Sequence, residues 1–224
     1  MHIRNRLMGA ALVGAVALST AIVPVYAQQH AGHTMAPAST APAGKASASD
    51  TQAALRDLWV GHIFWVRNVV TATLANDTAA RASAEKNVVA NAKQIAGAIA
   101  PFYGQAASDK LFTLLAGHYG AVKQYLDAGT DKAKQDAAIT ALNSNAGEIA
   151  TFLSGANPNL PKDAVLAMMA AHGGHHILQI NQLRAKQYDQ EAETWEAMKG
   201  HMYKLADTLA GAIAKQFPDK FAQG

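Results

Sequence analysis

From Asp50 onward, hydrophobic residues recur at intervals of three and four, which is the period of an amphipathic α-helix. The alternation of apolar and polar residues that is typical of a strand is missing from the pattern. Prolines, glycines and polar turns divide the chain into six periodic segments. The predicted helices cover residues 50–75, 78–100, 106–128, 131–154, 161–187 and 189–216. Because short connections favour antiparallel neighbours, the sequence predicts an all-α, up-and-down bundle of six helices, arranged as three helical hairpins.

The borders of these segments carry ordinary helix signals. Ser49 or Asp50 is expected to cap the first helix, and Pro161 suits the first turn of the fifth. The stretch "APFYGQ" at 100–105 contains a proline and a glycine, and it is expected to break the chain between the second and third helices.

Each predicted helix has one polar residue in the middle of its apolar stripe. Successive residues of this set are 29, 27, 27, 27 and 29 positions apart, so in an up-and-down bundle they fall at one height, here called the polar level. The segments "NAKQIA" at 91–96 and "NAGEIA" at 145–150 also indicate a repeated hairpin of about 54 residues. The residues of the polar level are His62, Asn91, His118, Asn145, His172 and His201.

Histidine is especially dense in "AMMAAHGGHHILQI", where His172, His175 and His176 lie at the i, i+3, i+4 spacing of one helix face. Imidazole is the commonest protein metal ligand and suits Zn, Cu, Fe and Ni. The favoured interpretation is a metal ion, copper or another divalent metal such as zinc, held by the histidines of the polar level. In this interpretation His62, His118, His172 and His201 are the ligands. His176 or His175 is an auxiliary partner, and Asn91, Asn145 and His176 complete the cofactor-binding set.

Other interpretations remain open. Two histidines could hold a non-covalent haem. Alternatively, the polar level could be structural, with His and Asn bonding one another to fix helix register in a stress-related bundle. Glu-x-x-His, a P-loop, Gly-x-Ser-x-Gly and the dinucleotide glycine fingerprint are all missing from the sequence, so an enzymatic role ranks third.

The N-terminus resembles a secretory signal. Arg4 and Arg6 precede an apolar run that ends at Val25-Tyr26-Ala27, which predicts a signal peptide over residues 1–27 and a periplasmic or secreted protein. Cleavage removes two of the 19 basic residues and leaves 17 against 16 acidic ones, so nucleic acid is not an expected partner. No later stretch is apolar enough to span a bilayer, so stable membrane insertion is not expected after cleavage. The helical bundle domain is assigned to residues 50–224.

Residues 28–49 form a predicted disordered tether, rich in Ala, Ser and Pro. Cleavage after Ala27 would place His30 third from a free amine, a pattern that can wrap Cu(II) through four nitrogens, with His33 and Met35 nearby. Cyclisation of Gln28 would remove that amine. The alternative is a solvated tail with incidental histidines.

Four segments together resemble a largely uncharacterised family of exported, all-helical bacterial proteins. The resemblance covers roughly residues 52–221, and relatives sometimes carry transferred enzyme names. It implies that the six residues of the polar level are the functional positions, whereas His175 and His176 do not belong to the family pattern. The segments are "LWVGHIFWVRN" at 58–68, "IAPFYG" at 99–104, "GEIATFLSGANPN" at 147–159 and "AIAKQFPDKF" at 212–221.

Overall fold

The computed structural model describes residues 45 and 47–222, and within that range it confirms the all-α bundle of six long helices. The predicted signal peptide lies outside the described residues, as does the tether up to residue 44. The helices are α1 (Ala48–Leu74), α2 (Thr78–Gly97), a single turn α3 (Ala100–Tyr103), α4 (Gln105–Asp127), α5 (Lys132–Ala156), α6 (Lys162–Arg184) and α7 (Tyr188–Gln216), followed by a 3-10 turn (Pro218–Lys220).

The helix borders follow from local capping, with small differences from the prediction. Ser47, not Ser49 or Asp50, caps α1, because its hydroxyl accepts a hydrogen bond from the Asp50 N–H at 3.0 Å. Pro161 is the capping residue just before α6 and not its first helical residue. The expected break at 100–105 contains α3, and Gly104 turns the chain into α4 with a φ of 84°.

The six long helices form a closed ring, in which consecutive helices pack side by side and α7 returns to α1. In addition, α6 contacts α1 and α4 across the interior, whereas α2, α5 and α7 pack mainly against the two helices beside them. The helices that carry His62, His118 and His172 are therefore the ones that meet inside the ring.

Two hydrophobic clusters fill the bundle, one on each side of the polar level. The first contains Trp59, Ile63 and Met169, and the second contains Val66, Val122 and Ile180. These residues precede and follow the central histidines of α1, α4 and α6 along each helix. The hydrophobic effect thus stabilises both ends of the bundle, and the polar level separates them. None of the described helices combines the length and the apolar composition needed to cross a membrane.

Candidate metal centre

Three imidazoles converge inside the ring, on α1 and α6. His62, His172 and His176 each offer one ring nitrogen, and these three nitrogens all lie within 4.8 Å of one another. We call these residues the histidine trio. Their side chains are buried, with 3%, 0% and 1% relative exposure respectively. Trp59 covers one side of the trio, where its indole meets the rings of His62 and His172 edge-on.

The two histidines of α6 have the geometry of neighbouring ligands. His172 and His176 are one helical turn apart, and their Nε2 atoms point at each other at 3.2 Å. Two nitrogens that bind one ion at about 2.0–2.1 Å in tetrahedral geometry lie roughly 3.3 Å apart. In the metal-free protein one of these Nε2 atoms carries a proton that the other accepts. Ligation would move that proton to Nδ1 of the same ring.

His118 on α4 joins the cluster without belonging to the trio. Its ring stacks on that of His172, with centroids 5.2 Å apart and 12° between the planes. Its exposure is 1%, and neither of its ring nitrogens has a partner at full hydrogen-bonding geometry, although the nearby Asn145 side chain raises its pKa against the larger effect of burial. His118 is thus a fourth buried imidazole beside the three converging ones.

Burial keeps all four imidazoles neutral. Loss of hydration lowers the pKa of His62 to about 3 and that of His118 to about 4. The pKa values of His172 and His176 also lie well below the ordinary value, first because of burial and then because each charge would repel its neighbours. Metal ions bind the neutral imidazole, so every ring of the cluster is in the ligating form at pH 7.

The cluster leaves an unusual number of buried nitrogens unsatisfied within the protein. A buried polar atom without a partner costs about 1–3 kcal/mol, so structural histidines are normally bonded. The unpartnered ring nitrogens are His62 Nδ1, His118 Nδ1, His118 Nε2, His172 Nδ1 and His176 Nδ1.

The other half of the polar level has a different role, which repeats in each hairpin. Asn91 and Asn145 donate their amide N–H groups to the carbonyls of Leu58 and Leu114, each at 3.0 Å. These carbonyls belong to the residues four positions before His62 and His118. In the third hairpin His201 Nε2 donates to the carbonyl of Met168, four positions before His172, at 2.8 Å. The side chains from α2, α5 and α7 therefore bind the backbone of the neighbouring helix.

This arrangement separates the sequence-predicted residues into two groups. The structure brings His62, His118, His172 and His176 together, and it does not bring Asn91, Asn145 or His201 into the trio. His201 lies apart from His172, since its Nε2 is bound to a carbonyl and its side chain is only half-buried, and its predicted role as a metal ligand stays a prediction. His30 lies outside the described residues, so its copper-binding role stays a prediction.

His175 lies beside the trio without entering it. Its ring is half-buried and stands 5.6 Å from the ring of His201, centroid to centroid. We call His175 and His201 the outer pair. Burial, together with the nearby His201, lowers the pKa of His175.

A buried polar network near the trio was missed by the sequence reasoning. Gln179 on α6 is fully buried and donates a hydrogen bond to Glu191 Oε1 at 2.8 Å. Arg67 donates to both carboxylate oxygens of Glu191, each at 2.7 Å. The Arg67 guanidinium lowers the pKa of Glu191, so this acid is charged and already neutralised. Gln179 continues the stripe of His172 and His176 at i+7 and i+3, which is the one signal the sequence offered.

The chain matches no family model, and no curated protein or solved structure is significantly similar to it. The resemblance to a family of exported bacterial proteins therefore stays a prediction, and the site has to be interpreted from its own geometry.

Proposed function

We propose that this chain is an exported protein that binds a transition-metal ion inside its helical bundle, with copper the best-matched metal. His62, His172 and His176 would supply the ligands, and His118 would be a fourth donor or a packing wall. The observation that carries the proposal is the convergence of three neutral, buried imidazole nitrogens within 4.8 Å.

The charge of the donor set favours a monovalent ion. All three ligands are neutral, and the cost of placing an ion in a low-dielectric interior rises with the square of its charge. Glu191 cannot compensate the charge, because Arg67 already neutralises it. Cu(I) therefore suits the site better than Zn(II) or Cu(II), and imidazole and thioether are donors that copper accepts.

The interior favours an ion over haem. Ligand pockets for molecules of that size occupy roughly 300–1,000 Å³. The apolar cavity that Trp59 and Met169 line, which none of the four histidines reaches, has a volume of about 30 Å³. His172 and His176 have ring centroids only 4.5 Å apart on one helix, so a macrocycle could not enter between them without separating the helices.

A purely structural polar level is the competing proposal, and one observation supports it. The bonds from Asn91, Asn145 and His201 to the neighbouring helices fix the register of each hairpin without any ligand. These bonds do not involve the ring nitrogens of the trio. The structural role thus explains the outer half of the polar level, and ion binding explains the inner half.

The test is a titration of the metal-free mature protein with Cu(I) and Zn(II) under anaerobic conditions, against competing chromophoric chelators. We expect one tight Cu(I) per chain and weaker Zn(II). The informative variant is His176→Val, because Val66 and Val122 occupy the equivalent positions of the first two hairpins. It should weaken Cu(I) binding at least about 100-fold while the helical circular dichroism stays unchanged.

Leu178→Ala is the matched control, since Leu178 is an exposed residue of the same helix with 47% exposure, and it should bind like the wild type. A wild-type protein that binds neither ion more tightly than about 10 µM would overturn the proposal. Retained affinity in His176→Val would overturn the trio as the ligand set.

A further inference from the structure

The three hairpins repeat one plan, and this allows their residues to be compared position by position. The first-helix positions of the polar level are His62, His118 and His172, and the second-helix positions are Asn91, Asn145 and His201. In each hairpin the polar residue of the second helix donates to the carbonyl of the residue four positions before the histidine of the first helix. The three hairpins therefore correspond in structure as well as in sequence spacing.

Soft donor atoms accumulate in only one of these hairpins, the third, which α6 and α7 form. Its first helix has two extra imidazoles, His175 and His176, which replace Trp65 and Val66 of the first hairpin and Ala121 and Val122 of the second. Among the described residues, all four methionines also belong to the third hairpin. They are Met168, Met169, Met198 and Met202, at positions where the other hairpins have Leu, Trp, Val or Ala.

The outer pair has a ring nitrogen available for ligation. The Met168 carbonyl can only accept, so His201 must donate through Nε2, and in the neutral ring its Nδ1 then carries the free lone pair. Two imidazoles that ligate one ion at about 2.0 Å have ring centroids roughly 4.5–6 Å apart. The observed 5.6 Å between His175 and His201 fits that range.

The surroundings of the outer pair leave room for an approaching ion. Gly174 and Gly200 precede the two histidines, and a Cβ added at either glycine would meet no atom within 4 Å. On the inner side, His175 is adjacent in sequence to His176 of the trio. Met198 and Met202, which flank His201 on α7, are fully buried.

Resting on the function proposed above, we infer that His175 and His201 form a loading site through which Cu(I) passes between α6 and α7 to the histidine trio. The ion exchanges ligands and keeps its charge, so the transfer needs no oxidant or reductant. The buried methionines of the third hairpin would offer thioether sulfur along this passage, where the first two hairpins have Leu, Trp, Val or Ala.

The experiment measures the rate at which the metal-free protein takes Cu(I) from its bicinchoninate complex, by stopped-flow absorbance at pH 7 without oxygen. The variants are His175→Ala and His201→Gln. The Gln amide can reproduce the donation of His201 Nε2 to Met168, but it offers no imidazole lone pair. Leu178→Ala is again the control, because its side chain is exposed on α6 outside both sites.

We expect each outer-pair variant to slow uptake at least about tenfold, with one Cu(I) per chain still bound at the end, and Leu178→Ala to load at the wild-type rate. Uptake by both variants within twofold of the wild type overturns the loading site and leaves the proposed function intact. Failure of the wild type itself to take up Cu(I) overturns the proposed function, and the loading site with it.

Discussion

The third hairpin has the same backbone arrangement as the first two, but its buried side chains differ in chemistry at the equivalent positions. In the first two, a histidine on one helix is surrounded by Val, Leu and Trp, and an asparagine on the next helix fixes the register. In the third, imidazoles and thioethers replace these hydrocarbons, and His201 takes the place of asparagine. A fold that needed only register would gain nothing from this change, because each added buried imidazole costs free energy when it stays unpartnered.

The difference also separates scaffold from site. The first two hairpins contribute one imidazole each to the buried cluster, His62 and His118, and the third contributes two, His172 and His176. Variants that exchange residues between equivalent positions can therefore test which features of the third hairpin are functional and which are merely tolerated.

The largest expected effect is the response of the metal-free protein to acid. The unfolded chain binds protons at an ordinary histidine pKa near 6.5, whereas His62 and His118 in the fold do so only at pKa values of about 3 and 4. Because the unfolded state then binds more protons, the free energy of unfolding decreases as the pH falls below about 6.5. At pH 5 each of these two residues should cost about 2 kcal/mol, and His172 and His176 should act in the same direction.

Urea unfolding between pH 8 and pH 5 measures this effect. The free energy of unfolding should change little above pH 7 and decrease steeply below 6.5. The decrease of the free energy of unfolding per pH unit should be smaller in His176→Val, because one titrating imidazole is gone. Equal stability of the wild type at pH 7 and pH 5 would contradict the burial of four neutral histidines.

Close approach of the helices in the first two hairpins provides the next comparison. A Cβ added at Gly117 would lie 3.0 Å from Asn145 Nδ2, and one at Gly61 would lie 3.1 Å from Asn91 Nδ2. The equivalent residue in the third hairpin is Ala171, and there the longer side chain of His201 binds the carbonyl. Gly117→Ala should therefore displace the Asn145 amide and destabilise the protein by about 1–2 kcal/mol, despite the better helix propensity of alanine.

Gly147→Ala in the same hairpin is the control, since a Cβ there would meet nothing within 4 Å. It should stabilise the protein by up to about 1 kcal/mol, measured by the same urea unfolding. If Gly117→Ala stabilises the protein as much as Gly147→Ala does, the close Asn145 contact does not exist in solution.

The sequence was sufficient to predict the six helices and the common height of the polar residues, since both depend on local periodicity and loop length. It was not sufficient to predict which helices turn their polar residue inward. That depends on the order of the ring, in which α6 also contacts α1 and α4, whereas α7 packs mainly against α1 and α6. For this reason His201 was expected among the ligands of His172, although its Nε2 binds a carbonyl.

The donor role of Asn145 and the Gln179–Glu191–Arg67 network were equally beyond the sequence. Both depend on distances between residues far apart in the chain, such as the 2.7 Å between Arg67 and Glu191, and periodicity carries no information about such distances. His176, by contrast, could be predicted as an inward residue because it is one turn from His172 on the same helix.

The smallest expected effect concerns the residue pair that fixes the register of each hairpin. His201→Asn alone should lose the bond to the Met168 carbonyl, because the Asn side chain is shorter than that of His and Ala171 stands where Gly117 lets Asn145 approach closely. Ala171→Gly alone should cost about 1 kcal/mol of helix propensity. Together the two substitutions recreate the Gly and Asn pair of Gly117 and Asn145, so the double variant should be more stable than the sum of the single effects predicts, by about 0.5–1 kcal/mol. A double-mutant cycle in urea measures this coupling. A coupling of zero would mean that the three hairpins share a sequence spacing but not a common means of fixing their register.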